Sequence, residues 1–344
     1  MCDLYPLLLL PDFRERVWGA RDLAPIYPNY KVEDEPIGEV WLTGDECRVA
    51  NGPLAGQTLG DLAKRYGREL VGQAAPEPDR FPLLLKFLFP RQKLSVQVHP
   101  TDEDARRAGL PCGKSECWYI VSAEIDAQVG LGLKPGTSRA DFEAAVRRGD
   151  RADQLLNWIY VRPGEIIYNP AGTVHTIGPG SVLLETQQNS DTTYRLYDYG
   201  RPRELHLELG LAVMKEKTVA GKVRPEVPDP ERVPDLRPHL QSKRSARVAQ
   251  LLAAPNFVIS HWKLDEDDLV TMQSVGLSPH VLIVLEGCGT VDAGKSARFT
   301  LARGDAVVVP AGVSDCRLSP QWDLELFSVM IGLPEIPEPE TTLP

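Results

Sequence analysis

The chain has no apolar run long enough to cross a bilayer. Its apolar runs, such as residues 7–10 and 81–85, are a fraction of the span a membrane helix needs. It has no excess of basic residues either: 38 Lys and Arg stand against 48 Asp and Glu, a net charge of −10. That excludes binding of nucleic acid through a broad basic face, because phosphate neutralisation requires the opposite balance. The six cysteines, Cys2, Cys47, Cys112, Cys117, Cys288 and Cys316, contain no C-x-x-C pair. With an acidic residue ahead of the first apolar run and no small-residue cleavage site after it, the N-terminus reads as mature protein. The cysteines are then expected as free thiols in a reducing cytoplasm.

What remains is an ordinary soluble composition, 42% apolar and 25% charged, on a chain of 344 residues, long enough for two domains. Short segments rich in β-branched and aromatic residues dominate: 81–89, 94–98, 117–121, 125–131, 158–161, 166–169 and 182–187. Gly, Pro and Asp punctuate them closely, the pattern of a β-sandwich or barrel. Helical patterns are few. Residues 58–71 put Leu59, Leu62, Ala63, Tyr66 and Leu70 on one stripe, and 138–148 open on an N-cap serine and stop at Gly149. Residues 223–244 carry five prolines and many charges and read as an extended linker or strap. The end, LPEIPEPETTLP, is proline-rich and acidic and is expected to fray.

A repeat crosses that strap. RPGEIIYNPAGTVH from Arg162 aligns without gaps to ARGDAVVVPAGVSD from Ala302, matching Gly164 to Gly304, Pro170 to Pro310 and Ala171-Gly172 to Ala311-Gly312. A strand ending on an acid precedes each copy, at Glu124 and Glu286. The expected fold is therefore mainly β, two similar barrels in tandem with a few short helices. The expected boundaries are 1–220 for the first unit, 221–250 for the strap, 251–334 for the second unit and 335–344 for the tail.

Good ligands for a divalent metal occur in two distant stretches. KLSVQVHP holds Gln97 and His99 and leads to GKSECWYI with Glu116; PAGTVHTI holds His175. Two His and one Glu suit zinc when a position stays open to water or substrate, with a glutamine oxygen as a weaker fourth donor. Gln97 and His99 are two apart, so in a strand they share a face, and Pro100 ends the ladder there, placing the site at a barrel mouth. In the second copy Asp315 stands where His175 does in the first, so that unit is expected to be structural and metal-free.

The segment G-E-x4-P-A-G-x2-H resembles the second motif of cupin barrels. More fully, LSVQVHPTDEDA, GKSECWYI, PAGTVHTIGPG and SDTTYRLYDYGR resemble type I mannose-6-phosphate isomerases, as do PDFRERVWGARDL, IGEVWLT and ANGPLAGQTLGDL. The short bacterial form fits best, since the stretch between Glu116 and His175 leaves no room for an inserted helical domain. The resemblance implies two cupin-like jelly-roll barrels and one Zn2+ per chain. It also implies interconversion of mannose 6-phosphate and fructose 6-phosphate through an enediol. By position it assigns His99, Glu116, His175 and Gln97 to the metal and Arg195 to the active site, and it sets Glu185 where larger relatives carry an acid near the metal.

Such a reaction needs a Lewis acid, a base, and cations for the phosphate. Lys114, two residues before Glu116, is a candidate to touch substrate oxygens or shuttle a proton, and Glu185 is a second candidate base. Lys86 and Lys93 flank the first metal-site strand and Ser95 lies in it; any of these is a candidate for the phosphate, as is Arg201, with Arg203 beside it. The partner is expected to be a phosphorylated hexose, with no nucleic acid and no membrane, and the protein a monomer or homodimer. Two His and a carboxylate also suit an iron-dependent cupin oxygenase, and a non-catalytic sugar-phosphate-binding cupin is a third reading.

Overall fold

The computed structural model describes residues 4–224, 239–241, 247–272, 276–294 and 297–343. Its strands are paired antiparallel in four sheets. An eight-stranded sheet runs in the spatial order Asp12–Ala20, Ile37–Trp41, Leu83–Leu88, Ser181–Gln188, Glu116–Ala123, Ile166–Asn169, Gly221–Val223 and Thr341–Thr342. It faces a five-stranded sheet ordered Tyr194–Tyr197, Val96–Val98, His175–Ile177, Gln128–Leu133 and Leu156–Tyr160. Together they form the first barrel. The second barrel pairs a six-stranded sheet with another five-stranded one, both built from residues after 238 except for the strand Leu7–Leu9.

The large sheets of the two barrels pack against each other, so both of their faces are covered. Phe87, Tyr119 and Tyr168 of the first meet Phe257, Val281 and Phe327 of the second in one continuous core, with the Tyr119 and Phe327 rings 4.4 Å apart. Covering both faces explains why the strand Leu83–Leu88 reads LLLKFL and is buried throughout. Leu85 and Phe87 point into the inter-barrel core, while Lys86 and Leu88 point into the first barrel. A charge inside such a run is costly unless it is paired.

The two ends of the chain are exchanged. Leu7–Leu9 adds to the second barrel, with Leu7 opposite Val308, and Thr341–Thr342 adds to the first, with Thr342 opposite Lys222. The end expected to fray is therefore held, and Ile336 within it is buried. Of the proline-rich strap, Val223 closes a strand and His239–Gln241 pair with Leu269–Met272; residues 225–238 and 242–246 lie outside the described residues.

Local signals held where they were self-contained. Ser138 caps Arg139–Arg148 in a reciprocal capping box with Asp141, and Gly149 ends the helix at φ 67°. The helix expected over 58–71 is instead Leu59–Tyr66, then a separate turn Arg68–Val71, because Gly67 at φ 54° breaks it. Ile125, expected in a strand, is fully exposed in the turn before Gln128–Leu133. No helix among the described residues is long and apolar enough to cross a membrane. The described cysteines are all free.

Candidate metal centre

Sheet register sets two rows of side chains facing each other inside the first barrel. On the smaller sheet, Gln97 lies directly between His175 and Arg195. On the larger sheet, Glu185 lies directly between Lys86 and Trp118. His99 follows the strand that carries Gln97, and Glu116 opens the strand that carries Trp118.

His99, Glu116 and His175 converge, with ligand atoms all within 4.8 Å of one another, and each is about 1% exposed. His99 Nε2 lies 3.1 Å from Glu116 Oε1, and His175 Nε2 lies 3.5 Å from Glu116 Oε2. The tautomers follow from the far side of each ring. Nδ1–H of His99 donates to the Thr192 carbonyl and Nδ1–H of His175 to the Thr173 carbonyl, each at 2.9 Å, and a carbonyl can only accept. Both Nε2 lone pairs therefore face the carboxylate. Burial pushes His99 down to about 3, aided by Lys114, and burial lowers His175 as well, so both imidazoles are neutral at pH 7.

Acceptors turned on acceptors at such distances require a cation. Lys114 supplies one: its Nζ is 2.7 Å from Glu116 Oε1 and 3.3 Å from His99 Nε2. Burial alone would raise the Glu116 carboxyl; the Lys114 ammonium, together with His99 and His175, outweighs it and holds the group well below the usual range. Asn169 donates to Oε2 at 2.9 Å and fixes the carboxylate plane. Two neutral imidazoles and a carboxylate, each oriented from behind, are a donor set that fits a divalent metal. The Gln97 amide reaches His175 Nε2 at 3.2 Å and Ser95 Oγ at 3.0 Å. A half-turn of that amide presents its oxygen to the same point.

Above this set lies a cavity of about 390 Å³. Gln97, Ser95, Lys86, Lys114, Glu185 and Arg195 all line it. Lys93 does not: its ammonium is taken by Asp153 at 2.7 Å and stacks over Trp158. Arg201 does not either, because Asp198 and the Lys93 carbonyl hold it. Arg203 lines the cavity in its place, oriented by the same Asp198 through Nε–H at 2.7 Å. Arg195 is fixed by His206, whose backbone N–H donates to the Arg195 carbonyl and whose Nδ1 accepts from the Arg195 N–H. His206 thus braces the Arg195 backbone. Burial and the nearby Arg203 push the Arg195 pKa down, against the opposing pull of Asp198.

Arg16 and Glu39 also line the cavity and are not among the residues expected there from the sequence. Glu39 carries the one legible signal, a lone acid in the otherwise apolar buried strand IGEVW. A roomier cavity between the barrels, about 460 Å³, holds no comparable convergence of metal-binding donors.

The same register locates the second barrel's counterparts. Gly164 and Gly304 turn at φ 85° and 88°, positions that a side chain would strain, which anchors the alignment of the repeats. Asn169 opposes Glu116, and its counterpart Val309 opposes His280, so His280 occupies the place of Glu116. Asp315, in the place of His175, is turned toward Arg317 at the surface. His261 is engaged across the sheet with Glu325 at 2.8 Å. His99, Glu116 and His175 are the one such metal-ready group among the described residues.

His280 is deeply buried, its Nδ1 has no partner, and burial lowers it to about 4. The unfolded chain thus binds a proton that the folded one refuses between its ordinary 6.5 and 4. The stability tied to this group is present at neutral pH and lost as pH falls through that window, by roughly 3 kcal/mol at pH 4. His280→Leu should narrow the difference in unfolding free energy between pH 7 and pH 4 by that amount.

Residues 7–124 match the family model for the phosphomannose isomerase type I catalytic domain. The chain is 36% identical over 325 residues to mannose-6-phosphate isomerase ManA of Bacillus subtilis, covering 91% of this chain and 95% of that one. The chain belongs to the type I phosphomannose isomerase family. A mannose-6-phosphate isomerase of Streptococcus mutans is 32% identical over 334 residues, covering 94% and 97%. The crystal structure of the mannose 6-phosphate isomerase from Bacillus subtilis aligns with a TM-score of 0.78 at 30% identity, over 95% of this chain and 99% of that one. A variant of phosphomannose isomerase from Salmonella typhimurium shares the fold, with a TM-score of 0.72 at 17% identity over 96% and 100%. These family relationships favour isomerase chemistry over the oxygenase reading.

Proposed function

We propose that this family member interconverts mannose 6-phosphate and fructose 6-phosphate at the first-barrel cavity. The observation that carries this reading is the convergence of His99, Glu116 and His175 within 4.8 Å, in a chain related over nine-tenths of its length to a named mannose-6-phosphate isomerase. His99, Glu116, His175 and Gln97 would hold one divalent metal. Their N and O donors suit zinc. When bound, the metal supplies Lewis acidity to the sugar oxygens whose charge grows on enolisation.

The chain's own residues divide the remaining work. Lys114, with its ammonium beside Glu116, is placed to donate to a sugar oxygen or relay a proton. Glu185 is raised by burial and by the Glu116 charge, against the pull of Lys86, a bias suited to a group that takes and returns the C1/C2 proton. Arg195 and Arg203 form the cationic corner for the phosphate, with Ser95 nearby. Arg195 and His175 are two strands apart, roughly 10 Å between backbones, the scale of an open-chain hexose phosphate. The metal-binding set at one end and the arginines at the other would orient the substrate along the barrel. Free buried thiols at Cys47, Cys117 and Cys316 support a reducing, cytoplasmic setting, and we take the protein to act as a monomer or homodimer.

The test is a coupled assay of fructose 6-phosphate formed from mannose 6-phosphate, run beside unphosphorylated mannose. Turnover of the phosphorylated sugar alone is expected. In the same assay Arg203→Ala should raise KM by about 10- to 100-fold with metal retained, the loss of one charged hydrogen bond. Arg201→Ala should change KM far less. Metal-loaded protein that leaves mannose 6-phosphate unchanged would refute the reading.

A further inference from the structure

Lys86 is 4% exposed and sits between two carboxylates on the strands that flank its own. Its Nζ is 2.9 Å from Glu185 Oε2 on one side and 3.9 Å from Glu39 Oε1 on the other. The two carboxylates are held differently. Glu185 takes a hydrogen bond from Trp118 Nε1 at 2.8 Å and faces the cavity. Glu39 Oε2 is doubly tied, accepting from Arg16 Nη2 and from Trp41 Nε1, each at 2.8 Å. Burial would raise Glu39, but Lys86 and Arg16 outweigh it and bring the group down to about 2. Glu39 therefore stays ionised under all working conditions, whereas Glu185 is biased toward taking up a proton.

The asymmetry matters during turnover. If Glu185 exchanges a proton with the sugar, Lys86 loses its nearer counter-charge at that moment. A buried ammonium without a counter-charge would shed its own proton. We propose that Glu39 is a positioning residue, the standing counter-ion that keeps Lys86 cationic and aimed into the cavity while Glu185 gives and takes the substrate proton. The inference rests on the isomerase reading and deepens it. The charged groups around Lys86 are Glu185 on one flanking strand, Glu39 and, through it, Arg16 on the other side, and Asp191 in the loop beyond; the Trp41 ring lies 5.6 Å from Nζ.

The test compares Glu39→Gln and Glu39→Asp with the zinc-loaded wild type. Glu39→Gln keeps shape and removes charge. Its kcat should fall by about tenfold or more while KM for mannose 6-phosphate moves little, since Glu39 acts through Lys86. Removing a neighbouring negative charge lowers a lysine's pKa, so the alkaline limb of the kcat–pH profile should move down by at least about one unit. Glu39→Asp keeps the charge, so its limb should stay at the wild-type position even where kcat is reduced. A limb that stays put in Glu39→Gln, or that moves equally in both variants, overturns the proposal. Wild-type protein without turnover in the same assay sinks the isomerase reading itself, whereas an active wild type with an unmoved Glu39→Gln limb sinks the role of Glu39 alone.

Discussion

His175→Ala is expected to empty the metal centre and to cut turnover by about 10³-fold or more. His175 supplies one of three anchored donors, and its Nδ1–H bond to Thr173 fixes the lone pair toward Glu116 before any metal arrives. His99 and Glu116, with only the weaker Gln97 oxygen beside them, do not hold a divalent ion against water and buffer at ordinary concentrations. Lewis-acid stabilisation in such reactions amounts to several kcal/mol, and about 4 kcal/mol is a thousandfold in rate. Structure should survive, because the strand His175–Ile177 is held by pairing on both sides. The check is elemental analysis and kcat on one preparation, with circular dichroism to confirm folding. A variant that keeps a full equivalent of metal and wild-type kcat would remove His175 from the centre.

Lys114→Met separates electrostatics from chemistry. Lys114 is 3% exposed and Glu116 1%, at 2.7 Å, so the methionine leaves a buried carboxylate without its cation. In metal-free protein this should cost about 3–5 kcal/mol, the usual result of breaking one side of a buried pair. A bound divalent ion restores the balance, so zinc should raise the melting temperature of the variant more than that of the wild type. With metal loaded, kcat should still fall by about 10²- to 10⁴-fold if Lys114 donates to the substrate or relays its proton. Calorimetry with and without zinc reads the first effect, and the coupled assay reads the second. Equal zinc-induced shifts in both proteins would mean that Lys114 does not balance Glu116.

These residues were the most legible part of the chain. Gln97-x-His99 fixes a shared face by pleat parity, and PAG-x2-His175 recurs in the second copy with Asp315 in place of the histidine. The barrels were legible for the same reason, as short alternating segments with turns between them. What stayed hidden depends on pairing between residues far apart in sequence. Lys86 and Lys93 are similar as sequence, yet Lys86 sits in a strand whose pleat turns it inward, while Lys93 precedes its strand and is claimed by Asp153. Arg201 and Arg203 both reach Asp198, and only the course of the loop decides which one also reaches the cavity. The exchange of the chain ends leaves no local mark, since LLL and TT are unremarkable strands until their partners are known. Glu39 was a signal in plain sight: an acid in IGEVW has to be paired, and its partners Arg16, Trp41 and Lys86 follow only from the sheet.

The most direct test of the metal centre is a zinc titration of chelator-treated protein, following bound metal and mannose 6-phosphate turnover together. Turnover is expected to rise in proportion to bound zinc and to stop at one zinc per chain, while His99→Ala and His175→Ala fail to follow that line. Full turnover in protein that holds no metal, or saturation of the centre with no turnover, would contradict it.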